Sequence, residues 1–268
     1  MLFKAYVWKR QSIAQLALQE HRSHVWIKKQ LDSVTPVHTA SVPTKTVIAA
    51  DMTFWGRGYG VCVFRSPARK ENLWWKESQF ETPWIYEAGL NQLQRDGWTI
   101  AAAVIDGKRG VAQVFERSGV PVQYCQFHQV KTVTKYLTRR PKTEAARELR
   151  TLTLSLKHSN EADFTSLLTA WHDRWRLFLE EKSQAFHTKR GWQYTHRRVR
   201  AAYRSLRTNL MRLFTYERYP ELTIPKTTNT LDGMFSQIKN RLAVHRGLRR
   251  DRRYKLISEI LKNVKNGN

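Results

Sequence analysis

Strand-type and helix-type patterns alternate over one long stretch of the chain, and this alternation constrains the fold more than any other feature of the sequence. Between residues 46 and 125, short apolar runs are separated by turn residues or by segments with helical spacing of apolar side chains. The extended runs are 47–51, 59–64, 73–78, 99–105 and 122–125, and the helical segments are 83–95 and 110–117. The predicted order is therefore β-β-β-α-β-α-β.

A sheet that opens with a hairpin and continues through βαβ units is typical of the ribonuclease H-like fold, an α/β fold with a mixed sheet. We predict this fold for the chain, joined to an all-α insertion and a small N-terminal helix-turn-helix. The predicted segments are 1–35 for the helix-turn-helix, 36–45 for a linker, 46–135 for the first part of the catalytic core, 136–225 for the insertion and 226–268 for the C-terminal helices of the core.

The N-terminal segment has the pattern of two short helices. Ser12 and Ser23 are each placed to cap the start of a helix, because a serine hydroxyl accepts a hydrogen bond from the free backbone N–H groups there. In a helix-turn-helix the second helix enters the major groove of DNA, and here it would expose Arg22, Lys28 and Lys29. The alternative is an ordinary helical hairpin that covers the next domain.

The charge of the chain predicts a polyanionic partner. The sequence has 47 Lys and Arg against 22 Asp and Glu, a formal net charge of +25, which is suited to nucleic acid. A membrane surface is the competing partner, but we find no apolar span, basic amphipathic anchor or lipidation signal. The N-terminus lacks the apolar run of a secretory signal, and the 2 cysteines are too few for a disulfide scaffold, so we expect a cytoplasmic protein.

Basic side chains are dense enough in several places to predict contacts with DNA phosphates. They occur in the second N-terminal helix, in the turn after the fourth strand, and in two runs of the C-terminal half. The residues predicted to bind DNA are Arg22, Lys28, Lys29, Lys108, Arg109, Arg197, Arg198, Arg200, Arg246, Arg249 and Arg250.

Aspartates follow two of the apolar strands. Asp51 ends the first strand and Asp106 comes directly after the fourth. Either residue alone is most simply a turn aspartate. Two carboxylates at strand ends in so basic a chain are more informative, because clustered anionic oxygens on a surface that binds phosphates indicate bound Mg²⁺ or Mn²⁺. A third carboxylate, Asp232, stands in the first turn of a predicted helix, where it also complements the helix dipole.

Two strings give these acids a family context. The first is Pro-Lys-Thr-Thr-Asn-Thr-Leu-Asp, which ends at Asp232, and the second is Cys-Gln-Phe-His, from Cys125 to His128. Together they resemble the third-acid region and the Cys-x-x-His signature of bacterial insertion-sequence transposases related to the Mutator-like elements. The resemblance covers about 46 to the C-terminus. The family usually has Glu where this chain has Asp232, and Glu217, Glu221 and Glu259 are not placed to replace it.

The resemblance implies a DNA transposase that cleaves a strand and transfers it to a target. It assigns Asp51, Asp106 and Asp232 as ligands of two Mg²⁺ or Mn²⁺ ions, and it implies that His128 either contacts the scissile phosphate or orients a metal-bound water. The partner is double-stranded DNA, and a homodimer is expected because two DNA ends must be joined. The alternatives are a non-catalytic or domesticated DNA-binding protein derived from a transposase, and a stand-alone metal-dependent nuclease.

Two smaller motifs have competing interpretations. Cys125 and His128 form half of a possible zinc site, but no matching pair of ligands is evident in the sequence, and a buried Cys with a capping His is an equal alternative. Trp171 and Trp175 are spaced to share one helix face. We expect them to pack in the core, while an exposed aromatic that stacks on an unpaired base is the alternative.

Overall fold

The structure is a computed structural model, which describes residues 2–35, 41–245 and 247–263. The helices are α1 (Leu2–Trp8), α2 (Ile13–Gln19), α3 (His24–Ser33), α4 (Pro83–Arg95), α5 (Val111–Arg117), α6 (Gln126–Leu137), α7 (Glu144–Ser155), α8 (Glu161–Arg174), α9 (Arg176–Glu180), α10 (Arg197–Leu213), α11 (Thr215–Arg218), α12 (Asn229–Leu242) and α13 (Arg250–Asn263). The strands are β1 (Lys45–Phe54), β2 (Gly60–Ser66), β3 (Glu71–Ser78), β4 (Thr99–Ile105), β5 (Val122–Tyr124), β6 (Lys182–Gln184) and β7 (Trp192–Tyr194).

The predicted class of fold is confirmed, because the chain forms a mixed α/β structure around a five-stranded sheet in the order β3-β2-β1-β4-β5. β1, β2 and β3 pair antiparallel as a meander, and β4 pairs parallel to β5. β1, β2 and β4 read as near-continuous apolar runs because nearly all of their residues are buried. This order of elements is compatible with the ribonuclease H-like layout.

Two expectations for the helical parts need correction. The stretch 136–225 is not purely helical, because β6 and β7 form an antiparallel hairpin within it. Each of these strands has 3 residues, which is too short to give a readable alternation of apolar and polar side chains. The N-terminal segment has three helices where we expected two. Its first helix, α1, precedes the pair α2 and α3, whose caps Ser12 and Ser23 are in the predicted positions.

The chain divides into two compact units, and the boundary falls inside β4. The first unit combines Met1–Ile100 with Asn229–Asn268, and the second is Ala101–Thr228. The first unit is thus discontinuous in sequence, and α12 and α13 complete it by packing on β1 and β3.

In the first unit, helix α4 packs on one face of β2 and β3. Phe64 of β2 meets Trp74 of β3 edge-on, with ring centroids 5.3 Å apart. Gly89 lets α4 approach these rings, since a Cβ atom at this position would lie 2.8 Å from Trp74 and 2.9 Å from Phe64. Neighbouring residues of a strand point to opposite faces, and Arg65 accordingly faces Met234 of α12, with Nη1 4.0 Å from Sδ. The sheet is therefore covered by α4 on one face and by α12 on the other.

Asn72 joins the sheet to α13 through buried hydrogen bonds. Its Oδ1 accepts from Arg65 Nη1 at 2.9 Å, and its Nδ2 donates to the carbonyl of Leu261 at 2.7 Å. We expect Asn72→Ala to lower the free energy of unfolding by about 3 kcal/mol, because it removes two buried hydrogen bonds, one of them from a charged donor. Urea unfolding measures this value. Asn91→Ala, on the exposed surface of α4, is the control and should change stability by less than about 0.5 kcal/mol.

Asp32 of α3 forms a two-point ion pair with Arg252 of α13, with distances of 2.8 and 2.7 Å. The hydrogen bond from Arg252 lowers the pKa of Asp32. A carboxyl whose pKa falls on folding stabilises the protein above its unfolded pKa of about 3.9, and this stability is lost as pH falls through the lower folded pKa. We expect Asp32→Asn to cost about 2 kcal/mol at neutral pH and nothing in strong acid. Unfolding curves of both proteins at several pH values would contradict this if their difference stayed constant.

The second unit is held by α10, which packs against α6, β5 and α7. The carbonyl of Leu213, at the end of α10, accepts hydrogen bonds from Gln123 Nε2 at 2.8 Å and from Gln126 Nε2 at 3.0 Å. Both glutamines are buried, and an unsatisfied helix-end carbonyl would be costly in the interior. These bonds therefore fix the end of α10 against β5 and α6.

In the ranges that the structure describes, each helix is either too short or too polar to span a membrane.

Candidate metal centre

Asp51 lies within β1, three residues before the strand ends at Phe54. The strand continues further than the sequence pattern predicted. Asp51 pairs opposite Val63 of β2, and the residue is 8% exposed. Its Oδ1 accepts a hydrogen bond from the backbone N–H of Met52 at 2.7 Å. A buried carboxylate is costly unless it is paired or coordinates a cation, so this position is informative about function.

Asp232 lies in the first turn of α12, the helix that packs on β1. Carboxylate oxygens of Asp232 and Asp51 lie within 4.8 Å of each other. Asp is one methylene shorter than the Glu that the resembling family usually has here, and the helix position nevertheless places its carboxylate beside Asp51. The structure therefore brings together Asp51 and Asp232, two acids that the sequence singled out, within the first unit.

Glu81 is a third acid beside Asp51, and sequence reasoning did not identify it. It stands between β3 and α4, and one of its oxygens also lies within 4.8 Å of an oxygen of Asp51. Tyr86 of α4 donates a hydrogen bond from its hydroxyl to Glu81 Oε1 at 2.9 Å, which orients the carboxylate. The sequence signal for Glu81 was weak. It is an acid in the loop before Pro83, where α4 begins, and its spacing from Asp51 does not link the two residues.

The chemistry of these donors fits a hard divalent cation. Carboxylate oxygens are the protein ligands that Mg²⁺ and Mn²⁺ prefer. Oxygens of two other carboxylates, those of Asp232 and Glu81, each lie within 4.8 Å of an oxygen of Asp51. The nearby Cys62 responds to this negative charge. Burial raises the pKa of its thiol, and the charges of Asp51 and Glu81 raise it further. A bound cation would offset this concentration of charge.

Asp106 belongs to the second unit and directly follows β4. Its Oδ1 accepts a hydrogen bond from the backbone N–H of Lys108 at 2.9 Å, and Gly107 between them has a φ of +87°, a value that favours glycine. The side chain is half-buried. The turn that sequence reasoning attributed to Asp-Gly is thus present, and a role of Asp106 as a metal ligand stays a prediction.

Cys125 and His128 also belong to the second unit, at the start of α6. Thr228 donates to Cys125 Sγ from its backbone N–H at 3.3 Å and from its hydroxyl at 3.4 Å. The Thr228 hydroxyl is also 3.4 Å from His128 Nδ1. Burial by itself would raise the pKa of the Cys125 thiol, but hydrogen bonds with His128 and Thr228 outweigh it, and the net shift is downward.

The zinc alternative gains no support from this geometry. Among the described residues, no group of three metal-ligating side chains includes Cys125. A structural zinc ion normally takes four protein ligands. Cys125 and His128 therefore act here as members of a hydrogen-bonded cluster with Thr228.

The basic residues predicted to bind DNA fall into exposed and engaged groups. The exposed group consists of Lys28, Lys29, Lys108, Arg109 and Arg197. Arg22 lies over the ring of Trp26.

Other basic side chains in that set contact protein groups. Arg198 donates to the carbonyl of Lys135, and Arg200 donates to the carbonyl of Leu179 and lies 3.5 Å from the ring centre of Tyr194. Ion pairs join Arg249 to Asp251 at 3.4 Å and Arg250 to Glu77 at 3.3 Å. Arg246 lies outside the described residues, as do residues 36–40 of the predicted linker.

Trp171 packs in the core, and the base-stacking alternative for it is wrong. Its ring is 5% exposed, and its Nε1 donates to the carbonyl of Ala145 at 3.1 Å. Trp175 is half-buried, and its Nε1 donates to Glu148 Oε2 at 2.6 Å. Both indoles therefore join α8 to α7 within the second unit.

Neither a scan against models of known protein families nor a search of curated proteins finds a match for this chain. Function is therefore inferred from the residues of the site.

Proposed function

We propose that this protein is a DNA transposase of the acidic-triad type, which cleaves a DNA strand and joins it to a target. The observation that carries the proposal is the approach of Asp51 and Asp232 to within 4.8 Å in a chain with a net charge of +25. A surface built to attract phosphates has no electrostatic reason to gather carboxylates unless a cation binds between them and the DNA.

The placement of the two acids supports a role in phosphodiester chemistry. Asp51 is held by a strand and Asp232 by a helix that packs on it, so both carboxylates are positioned by rigid elements. When bound, two Mg²⁺ or Mn²⁺ ions activate the attacking oxygen and stabilise the leaving oxygen of an in-line displacement. The protein's own task is to fix the ligand oxygens, which β1 and α12 do.

The remaining roles rest on the resemblance described above. Asp106 is proposed as the third acid of the triad, and His128 as a group that contacts the scissile phosphate. Glu81 is added on structural grounds as a further oxygen donor beside Asp51. Strand transfer and a homodimer belong to the same proposal, as does recognition of the element ends by α2 and α3.

The test is a cleavage assay with supercoiled plasmid that carries the flanking element ends. The wild-type chain should nick or linearise the plasmid with Mg²⁺ or Mn²⁺ and leave it intact with a chelator. A protein that binds the ends but never cuts under either metal would support the non-catalytic DNA-binding alternative. A protein that cuts RNA or branched DNA and ignores the ends would support the stand-alone nuclease.

A further inference from the structure

A cluster of aromatic and basic side chains surrounds the turn between β1 and β2, beyond the end of the strand that holds Asp51. Two of its members are aromatic, and the others carry a positive charge. We name it the tip cluster, and its residues are Trp55, Arg57, Tyr59, Lys239, Arg250 and Arg253. All of them belong to the first unit.

The turn itself projects a cation into solvent. Gly56 and Gly58 both have a φ of +76°, a region that side chains other than glycine rarely adopt. The backbone N–H of Trp55 donates to the carbonyl of Tyr59 at 2.9 Å and closes the turn. Arg57, between the two glycines, is exposed. The turn therefore presents Arg57 at its outermost point.

The cations of α12 and α13 gather on the two aromatic rings. Lys239 Nζ lies 5.9 Å from the ring centre of Trp55. The guanidinium groups of Arg250 and Arg253 lie 5.8 and 5.2 Å from the ring centre of Tyr59. Glu77 pairs with Arg250, so the four cations of the cluster outnumber the carboxylate that contacts them.

Two donors in the cluster have no acceptor among the described residues. Trp55 Nε1 and the Tyr59 hydroxyl are both shielded from solvent and make no hydrogen bond, although Tyr59 is only 6% exposed. Burial raises the pKa of Tyr59, so its hydroxyl stays protonated at neutral pH. A buried donor without an acceptor is costly, and such a donor is satisfied when a ligand brings an acceptor.

The cluster stands at a fixed distance from the metal centre. Asp232 and Lys239 are two turns apart on the same face of α12, a separation of about 10 Å. Asp51 and Trp55 are four residues apart along β1 and its turn, about 13 Å when extended. These distances correspond to about three or four base steps along a DNA strand, at about 3.4 Å for each step.

From these observations we infer that the tip cluster binds the sugar–phosphate backbone of the DNA segment that flanks the cleaved bond, an inference that rests on the proposed function. Lys239, Arg57 and Arg253 contact phosphates, and the indole of Trp55, whose N–H is shielded in the unbound protein, turns outward and donates to a phosphate oxygen. Phosphate oxygens are acceptors that satisfy both charged and neutral donors. Contacts with phosphates position a protein on DNA without reading its sequence. The tip cluster therefore sets the register of the DNA over the metal centre.

The test measures binding of the full chain to a short labelled DNA duplex of arbitrary sequence, in a chelator and over a range of salt concentrations. Lys239→Ala and Arg57→Ala should each reduce the slope of log affinity against log salt by about one, since each removes a phosphate contact. Trp55→Phe keeps an aromatic ring at this position and loses the indole N–H. It should weaken binding about tenfold and leave the slope of log affinity against log salt unchanged.

Matched controls are available on the same unit. Lys45→Ala removes an exposed lysine at the other end of β1, about 30 Å away, and Trp84→Phe alters an indole of α4 that is 78% exposed. If the tip variants keep the slope and affinity of these controls, the inference is overturned. Tighter binding of an RNA duplex through the same residues would also overturn it. Thermal unfolding shows that each variant is folded.

The tip-cluster inference and the transposase proposal can be rejected independently of each other. If the wild-type protein never cleaves DNA but the tip variants bind DNA more weakly than it does, the role of the tip cluster is supported and the transposase proposal is rejected. Metal-dependent cleavage with unchanged binding by the tip variants does the reverse.

Discussion

Replacing Asp51 or Asp232 by Asn is expected to slow metal-dependent DNA cleavage about a thousandfold, while binding to DNA survives. Asn keeps the size of the side chain and removes the charge that a divalent cation requires. We expect the two acids, which lie within 4.8 Å of each other, to serve as one ligand set, so that loss of one of them should cost about 4 kcal/mol of transition-state stabilisation, which is about a thousandfold in rate.

The measurement compares initial rates of plasmid cleavage with filter binding of the same DNA. The double variant Asp51→Asn with Asp232→Asn should be no slower than the worse single variant, because residues that act as a unit are not additive. Asp173→Asn is the control, since its side chain is 71% exposed on α8. Full activity in either single variant would remove that residue from the ligand set, and equal losses in cleavage and binding would point to a folding defect.

Glu81→Gln is expected to reduce cleavage about a hundredfold and to weaken Mn²⁺ binding by a similar factor. The carboxylate is oriented by Tyr86 at 2.9 Å and lies beside Asp51, so the amide would substitute a neutral oxygen and an N–H donor for an anionic ligand. This loss would show that the chain has a functional glutamate at its metal centre, although not at the position of the resembling family.

Calorimetric titration with Mn²⁺ tests this without relying on activity. Glu87→Gln, on the exposed face of α4, is the matched control and should bind Mn²⁺ like the wild type. If Glu81→Gln also retains wild-type affinity and wild-type cleavage, Glu81 is only a hydrogen-bond acceptor for Tyr86, and the carboxylate set is limited to the acids that the sequence identified.

Much of the sheet was predictable because its strands are long and apolar. Helix α4 occupies Pro83–Arg95 and strand β4 occupies Thr99–Ile105, as the apolar periodicity predicted. The hairpin of β6 and β7 was not predicted, because its short strands lie among strongly helical segments. The aromatic residues of β7 are half-buried rather than buried. Local pattern identifies an element when its buried face repeats several times, and gives no signal when it does not.

The candidate site was predictable in part, for a related reason. Asp51 stood out because it ends an apolar run, and Asp232 because it stands in the first turn of a predicted helix. Glu81 stands in a loop, and its approach to Asp51 depends on how α4 packs on the sheet, which no local pattern encodes. Trp55 and Tyr59 were not singled out from the sequence, because the cations that surround them come from α12 and α13, far along the chain.

The discontinuous first unit has a consequence for synthesis of the protein. Asp51 is translated early, but its partner Asp232 arrives with α12, after the whole of Ala101–Thr228 has been made. At about 5–20 residues per second, this interval is on the order of ten seconds or more. During this interval the nascent chain contains Asp51 but lacks α12, the helix that carries Asp232. A ribosome-bound or prematurely terminated polypeptide that ends before α12 therefore lacks the pair of Asp51 and Asp232, and any activity that depends on this pair arises only after nearly all of the chain has been synthesised.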